Sequence, residues 1–243
     1  MVEPSTALAI KQLITAARHV LIVPHSVPRP DGDCLGAALA MAEWCGQLGI
    51  AQTVFCQWPA PPSLEYLPGV NAISHDPTVI AATPYDLVIM VDFGHLANSG
   101  LPDQLSSALA RGVPFINIDH HPKNNDAGGQ VVLVVERAAA TCEIIYAIFD
   151  QLHVTITPTM ATNLMTGLMT DTQNFTNLAT TTSSLTAAAE LVKRGAAPNK
   201  ITNYTWRNKA VPELQLWGKM LLRLHRNSED MIVTALTAED LTE

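Results

Sequence analysis

The sequence has little charge and few basic residues in particular. Charged side chains make up 15% of its 243 residues, and 14 Lys and Arg stand against 22 Asp and Glu, for a formal net charge of -8. Such a chain lacks the sequence-wide basic surface by which proteins bind the phosphates of duplex DNA. Because apolar residues make up 48% of the chain, the composition also excludes a disordered protein. We expect a folded protein that does not bind duplex DNA.

Membrane spans, export signals and paired cysteines are also missing. No apolar run approaches the roughly 18 residues of a membrane-spanning helix. Residues 1–20 lack the basic segment and unbroken apolar core of a secretory signal. The four cysteines, at positions 34, 45, 56 and 142, form no CxxC pair, which is typical of reduced thiols rather than a disulfide framework. We therefore expect a cytoplasmic protein without a membrane segment.

Short apolar runs alternate with helical patterns along the chain. Strands are predicted over 20–23, 52–57, 86–92, 114–119 and 131–135. Helices are predicted over 5–18, 35–48, 102–111, 137–151, 158–170, 182–195 and 209–226, and a last strand over 231–236. The alternation predicts an α/β fold with a doubly wound, mainly parallel sheet and helices on both faces. No GxGxxG follows the first strand, which counts against the dinucleotide-binding domain of an oxidoreductase.

Aspartates and histidines follow several predicted strands. They are His25, Asp31 and Asp33 after the first strand, Asp92 after the run at 86–92, Asp119, His120 and His121 after the run at 114–119, and Asp171 near a helix end. Each alone has a simpler interpretation, since a lone Asp is often a helix N-cap. The carboxyl ends of parallel strands share one edge of a sheet, however, so these side chains are expected to converge. Carboxylates crowded together repel one another unless cations neutralise them, and this oxygen and imidazole set suits Mn²⁺, Mg²⁺ or Fe²⁺.

Four segments carry the aspartates and the two adjacent histidines in order: PDGDCLGAALAM at 30–41, VIMVDFG at 88–94, NIDHHPKN at 117–124 and TGLMTDTQNF at 166–175. Together they resemble the motifs of the DHH phosphoesterase superfamily. The segment ATCEIIYAIFD at 140–150 resembles a stretch that follows the DHH triad in that family. The sequence is most similar in character to the group of nanoRNases and 3'-phosphoadenosine 5'-phosphate phosphatases, which has cyclic-dinucleotide phosphodiesterase relatives.

The resemblance implies a metal-dependent phosphoesterase that hydrolyses phosphomonoesters or phosphodiesters of small nucleotides or very short oligonucleotides. It implies a two-metal site with a bridging hydroxide, holding two Mn²⁺, with Mg²⁺ or another divalent cation as the alternative. One cation would be held by His25, Asp31 and Asp92, and the other by Asp33, Asp92, His120 and Asp171. Two cations in such a site can clamp a phosphoryl group.

The resemblance also implies roles for three residues beside the metal ligands. Asp119 would be a catalytic residue that orients a histidine. His121 would contact the substrate phosphate or assist proton transfer, and Asn124 would help to position the phosphate.

The sequence departs from the family pattern in two places. His25 precedes Asp31 by six positions, whereas the family usually has four, so the loop between them is longer. Family members also carry a second, substrate-binding domain with a glycine-rich loop, which this sequence does not show. We expect a DHH catalytic domain over 1–195, a helical connector over 196–228, and over 229–243 the start of an incomplete substrate-binding domain, as in a truncated chain.

Two other functions stay open at this point. One is a pyrophosphatase or polyphosphatase of the same superfamily. The other is a non-catalytic nucleotide-binding or regulatory module, which the longer His25 loop and the missing second domain favour. Dimerisation through the connector helix is a further expectation.

Overall fold

The computed structural model describes residues 2–82, 84–122 and 128–241. The chain divides into two compact units, residues 1–204 and residues 205–243. The expected division into 1–195, 196–228 and 229–243 stays a prediction. Within the described ranges, no helix is long and apolar enough to cross a lipid bilayer.

A five-stranded parallel sheet forms the centre of the first unit. Its strands are β1 (His19–Pro24), β2 (Ala51–Val54), β3 (Leu87–Val91), β4 (Phe115–Asp119) and β5 (Val131–Val134). Their order across the sheet is β2-β1-β3-β4-β5, and every neighbouring pair is parallel. The inner strands β3 and β4 are buried along their whole length, as their continuous apolar runs predict. β5 is an edge strand and only partly buried.

Helices cover both faces of the sheet, so the predicted doubly wound α/β fold is confirmed. The helices of the first unit are α1 (Pro4–Ala16), α2 (Gly32–Gln47), α3 (Thr78–Ala82), α4 (Pro102–Ala110), α5 (Thr141–Gln151), α6 (Pro158–Asp171), α7 (Thr182–Lys193) and α8 (Pro198–Thr202). Side chains alternate along each strand, so Ile22 and Ile89 pack in the larger core with α1, α2, α5 and α6. Leu21 and Val88 face the other way, into the smaller core with α3 and α4.

The second unit, residues 205–243, is small. It contains α9 (Val211–Leu222) and a two-stranded antiparallel ribbon of β6 (His225–Arg226) and β7 (Ile232–Val233). Asp240 links the end of α9 to the last residues of this unit, since it accepts hydrogen bonds from Arg223 and Thr237. None of the residues of α9 is buried.

The structure corrects several predicted boundaries. The helix expected over 137–151 begins at Thr141, because the Ala139 N–H donates to Glu143 Oε2 at 2.7 Å and the Ala138 carbonyl accepts from His120 Nδ1 at 3.2 Å. These tertiary contacts override the helix propensity of the alanines.

The tail of the chain also differs from its predicted elements. The helix expected over 209–226 ends at Leu222, and the next residues pair with Ile232 and Val233 as a ribbon. The strand expected over 231–236 is therefore limited to two residues. The short helices α3 and α8 were not predicted, because five residues are too few to show a helical period.

Glycines allow α2 and α6 to pack in close contact. A Cβ on Gly36 of α2 would lie 2.3 Å from the backbone oxygen of Asn163 in α6. A Cβ on Gly167 of α6 would lie 2.4 Å from Oδ1 of Asp33. The absence of side chains at these two positions therefore sets the distance between the helices and brings α6 against an acidic residue of α2.

Two glycine substitutions on α2 should have opposite effects on stability. We expect Gly36→Ala to lower the free energy of unfolding by about 1–3 kcal/mol, because the added methyl overpacks against backbone that cannot rotate away. Gly46, on the same helix, has no described atom within 4 Å of its Cβ position, so Gly46→Ala should raise that free energy by about 0.5–1 kcal/mol. Urea unfolding curves measure both changes. Equal effects of the two substitutions would contradict the close packing.

Candidate metal centre

The predicted site residues lie where the strand order reverses. In the order β2-β1-β3-β4-β5, the connections after β1 and β3 run to opposite sides, which opens a crevice at the carboxyl ends of these strands. His25 directly follows β1, and Asp92 directly follows β3. Asp119 ends β4, and His120 and His121 come next in the chain. The sheet topology thus brings Asp and His side chains from three distant segments to the carboxyl ends of the strands.

Two helices deliver the remaining carboxylates to the same place. Asp31 is the N-cap of α2, where its Oδ1 accepts from the backbone N–H groups of Asp33 and Cys34, both at 3.0 Å. Asp33 lies in the first turn of that helix and is fully buried. Asp171 is the last residue of α6. The expectation that a strand-end Asp serves as an N-cap is met at Asp31, which also joins the cluster.

Three overlapping groups of potential metal ligands result. In each group, one donor atom per residue lies within 4.8 Å of the others. The groups are His25, Asp31 and Asp92; Asp33, His120 and Asp171; and Asp92, His120 and His121. The first contains the three residues that the family resemblance assigned to one cation. The second contains three of the four assigned to the other, and the fourth, Asp92, lies with its Oδ1 3.6 Å from His120 Nε2.

His120 provides a test of whether a cation fits this centre. Its Nδ1 donates to the Ala138 carbonyl, which turns Nε2 toward the cluster. That Nε2 is buried and has no hydrogen-bond partner among the described residues. Oxygens of Asp171, Asp92 and Asp33 lie 3.3, 3.6 and 4.0 Å from it. A buried ring nitrogen that faces three carboxylates fits a divalent cation between them.

The carboxylates of the cluster are poorly stabilised as anions. Burial raises the pKa of Asp92 well above its usual range, and the neighbouring charge of Asp33 raises it further. Burial likewise raises the pKa of Asp33, against the opposing effect of His120, and raises the pKa of Asp171 to about 9, helped by the charge of Asp33. A bound divalent cation would favour the ionised forms of all three groups.

The start of α5 contacts two of these carboxylates, which the sequence did not reveal. Backbone N–H groups of Thr141 and Cys142 donate to the two oxygens of Asp33, at 2.6 and 2.9 Å. The Thr141 hydroxyl donates to Asp92 Oδ1 at 3.0 Å. The predicted helix over 137–151 placed Thr141 inside the helix, which hid its position in the first turn. The sequence shows a Thr near the start of a predicted helix, but it does not show that the hydroxyl of this Thr binds Asp92.

Asp119 organises the turn that carries the two histidines. It is fully buried, and its Oδ1 accepts from the backbone N–H groups of His120 and His121 at 2.8 and 3.1 Å. It also accepts from His121 Nδ1 at 2.8 Å. This bond raises the pKa of His121, although partial burial acts in the opposite direction. The side chain of His121 is 48% exposed, so it lies at the open side of the cluster.

The longer loop after β1 still brings His25 to the cluster. The His25 ring lies in the same group as Asp31 and Asp92. Its Nε2 donates to the Val27 carbonyl at 2.5 Å, which leaves Nδ1 as the ring nitrogen available to a cation. Asn124, the proposed phosphate contact, lies outside the described residues.

The thiols beside the cluster do not take part in it. Sγ of Cys34 and Sγ of Cys142 are directed to backbone carbonyls of Asp31 and Asp33, each at 3.5 Å. Burial raises the pKa of both thiols well above its usual value, and neighbouring aspartates add to this effect. The donor set therefore consists of carboxylate oxygens and imidazole nitrogens. Such a set suits Mn²⁺ or Mg²⁺ better than a metal that prefers thiolate ligands.

A family profile described as the DHH family, N-terminal domain, matches residues 19–168, which is more than half of the chain. The matched range includes every residue of the cluster except Asp171. The structure is also similar to that of an exopolyphosphatase-related protein from Bacteroides fragilis, with a TM-score of 0.89. The match covers 100% of this chain and 72% of that one at 21% identity, so it shows the fold alone.

Two curated relatives have longer chains. The sequence is 32% identical over 215 residues to the bifunctional oligoribonuclease and PAP phosphatase NrnA of Thermus thermophilus, covering 87% of this chain and 61% of that protein. It is 25% identical, over an alignment 260 residues long, to the cyclic-di-AMP phosphodiesterase PdeA of Listeria monocytogenes. This alignment covers 96% of this chain and 38% of that protein. The chain thus spans less than two thirds of the length of both relatives.

The raised pKa values predict how stability depends on pH when cations are removed. Asp33, Asp92 and Asp171 keep their protons to higher pH in the folded chain than in the unfolded chain. Between about pH 4, where a free Asp ionises, and the value of about 9 for Asp171, the folded state binds more protons. The free energy of unfolding should therefore fall as pH rises through this range. We expect the Tm in EDTA to be lower at about pH 8 than at about pH 5.5, and added Mn²⁺ to restore it more at the higher pH.

A matched pair of variants tests the source of this pH dependence. Asp92→Asn should reduce the fall in Tm, because one ionisable group leaves the buried cluster. Asp150→Asn removes a carboxylate that is 59% exposed and should leave the fall unchanged. Thermal unfolding followed by circular dichroism gives the Tm. A Tm in EDTA that rises toward pH 8 in the unsubstituted protein would contradict the assignment.

Proposed function

Since the chain belongs to the DHH family, we propose that it is a divalent-cation-dependent phosphoesterase acting on small nucleotides or very short oligonucleotides. The observation that carries the proposal is the convergence of seven potential ligands at the strand-order reversal, with Asp92 and His120 each shared between two groups. The names of the two curated relatives, an oligoribonuclease and PAP phosphatase and a cyclic-di-AMP phosphodiesterase, support the substrate class.

In the proposed centre, His25, Asp31 and Asp92 would hold one cation, and Asp33, Asp92, His120 and Asp171 the other. When bound, two divalent cations supply positive charge for the phosphoryl oxygens and lower the pKa of water so that it can attack phosphorus. We propose Mn²⁺ as the natural ion, with Mg²⁺ as the alternative, because the donor set contains both carboxylates and imidazoles.

The DHH turn would orient the substrate and move a proton. Asp119 holds the His121 ring by its bond to Nδ1, so Nε2 of His121 is the atom available on the exposed side. Protonated Nε2 can donate to a phosphoryl oxygen or to the leaving oxygen, as a general acid. Asn124 would add a further contact to the phosphate. These roles of Asp119, His121 and Asn124 are part of the proposal.

We also propose that the protein acts in the cytoplasm and forms a homodimer. The four cysteines are free and buried, which supports a reducing compartment such as the cytoplasm. Exposed apolar side chains of α9, such as Leu214, Trp217 and Leu221, support association of two chains into a homodimer.

Asp92→Ala should abolish cation-dependent hydrolysis while the fold persists. Because both cations share Asp92 in the proposed centre, we expect turnover to fall by about 1000-fold or more. Asp150→Ala, on the exposed side of α5, should retain full activity. The assay uses 3'-phosphoadenosine 5'-phosphate, a diribonucleotide, a cyclic dinucleotide and pyrophosphate, each with MnCl₂. Circular dichroism spectra show whether both variants are folded, and full activity of folded Asp92→Ala would refute the shared-ligand centre.

The same panel separates the alternatives. Hydrolysis of pyrophosphate alone would replace the nucleotide phosphoesterase with a pyrophosphatase. Mn²⁺ binding without hydrolysis of any compound would favour a non-catalytic nucleotide-binding module.

His121→Gln tests the proton-transfer role: we expect turnover to fall by about 100-fold while the affinity for Mn²⁺ changes little.

A further inference from the structure

Thr141 is the first residue of α5 and is fully buried. Its hydroxyl lies 3.0 Å from Asp92 Oδ1 and donates to it. Because Asp92 is 2% exposed, water does not compete strongly for this oxygen. A neutral donor to a buried carboxylate makes one of the stronger hydrogen bonds found in proteins.

The Thr141 hydroxyl does not serve its own helix. A threonine at the N-cap position usually accepts a hydrogen bond from a backbone N–H in the first turn. Thr157 and Thr181 of this chain do so, since they accept from Met160 N and Ser184 N at the starts of α6 and α7. In α5 the N-cap is Ala140, which makes no side-chain cap. The Thr141 hydroxyl instead reaches a residue 49 positions earlier.

The same residue contacts a second carboxylate of the cluster. The Thr141 N–H donates to Asp33 Oδ2 at 2.6 Å, and the next N–H, of Cys142, donates to Asp33 Oδ1 at 2.9 Å. Asp33 thus accepts hydrogen bonds from two N–H groups at the start of α5, where the helix dipole favours an anion. Thr141 is joined by hydrogen bonds both to Asp92, which belongs to two ligand groups, and to Asp33 of the third.

We propose that Thr141 is a positioning residue that sets the affinity of the centre for divalent cations. Its hydroxyl fixes the Asp92 side chain, and its backbone fixes the Asp33 side chain, so both groups are held in place before a cation arrives. Asp92 needs such support because its φ of 68° lies in the left-handed region, which few non-glycine residues adopt. The inference rests on the proposed use of cations, but it does not depend on which phosphate ester is cleaved.

The test compares Thr141→Val with Thr141→Ser. Valine keeps the branched shape and removes the donor, whereas serine keeps the donor. We expect Thr141→Val to weaken Mn²⁺ binding by about 10- to 100-fold, the usual effect of losing a group that orients a metal ligand. Thr141→Ser should restore most of that affinity. Thr162→Val is the matched control, because the Thr162 hydroxyl is similarly buried but donates to the Pro158 carbonyl within α6.

Isothermal titration with MnCl₂ measures the affinity, and the Tm in EDTA shows any effect on the metal-free fold. A purely structural role would lower that Tm in Thr141→Val and leave Mn²⁺ affinity unchanged, which would overturn the proposal. Equal losses of affinity in Thr141→Val and Thr141→Ser would overturn it as well. If Thr141→Val does not fold, Thr141→Ala against Thr141→Ser makes the same comparison.

The outcomes for substrate and for positioning are separable. If Thr141→Val loses affinity and Thr141→Ser regains it while the unsubstituted protein hydrolyses none of the four compounds, the proposed function fails and the positioning role stands. If the unsubstituted protein hydrolyses a nucleotide and Thr141→Val binds Mn²⁺ normally, the positioning role fails alone. If the unsubstituted protein binds no Mn²⁺, both fail.

Discussion

The burial of several carboxyl groups side by side is the constraint on which the rest of this structure depends. Asp33, Asp92 and Asp171 surround Nε2 of His120, which has no hydrogen-bond partner in the part of the chain that the structure describes. Burial raises the pKa of each of these carboxyl groups. Hydrogen bonds from the start of α5 offset part of this cost. The remaining excess of negative charge explains why divalent cations are central to the proposed function, and why the metal-free fold should lose stability as pH rises.

The packing of the helices keeps this cluster compact. Gly36 lets α2 approach the backbone of α6, and Gly167 leaves room for the Asp33 carboxylate beside Cys142. Larger side chains at these positions would push α6 away from α2, and with it Asp171 from Asp33. The Glu143 carboxylate has a similar effect at longer range, since it binds the Ala139 N–H next to the carbonyl that orients His120. The cation site therefore depends on close contacts between helices as well as on the ligands themselves.

The sequence predicted the sheet and the acidic residues because both have local signals. Continuous apolar runs such as LVIMV indicate buried parallel strands, and the ends of β1, β3 and β4 carry aspartates or histidines. The start of α5 and the role of Thr141 could not be predicted, because they depend on contacts with Asp33 and Asp92, more than a hundred and about fifty positions away. Helix propensity instead favoured an earlier start at the alanines 138–140. The sequence likewise showed no sign of the left-handed backbone at Asp92.

An anomalous difference map from crystals of this protein grown with MnCl₂ would locate the bound cations. We expect two Mn²⁺ peaks at the carboxyl ends of β1 and β3, with Asp92 bound to both ions. His25 and Asp31 should complete one ligand set, and Asp33, His120 and Asp171 the other. A single peak without Asp92, or no peak in this cluster at millimolar Mn²⁺, would contradict the central claim.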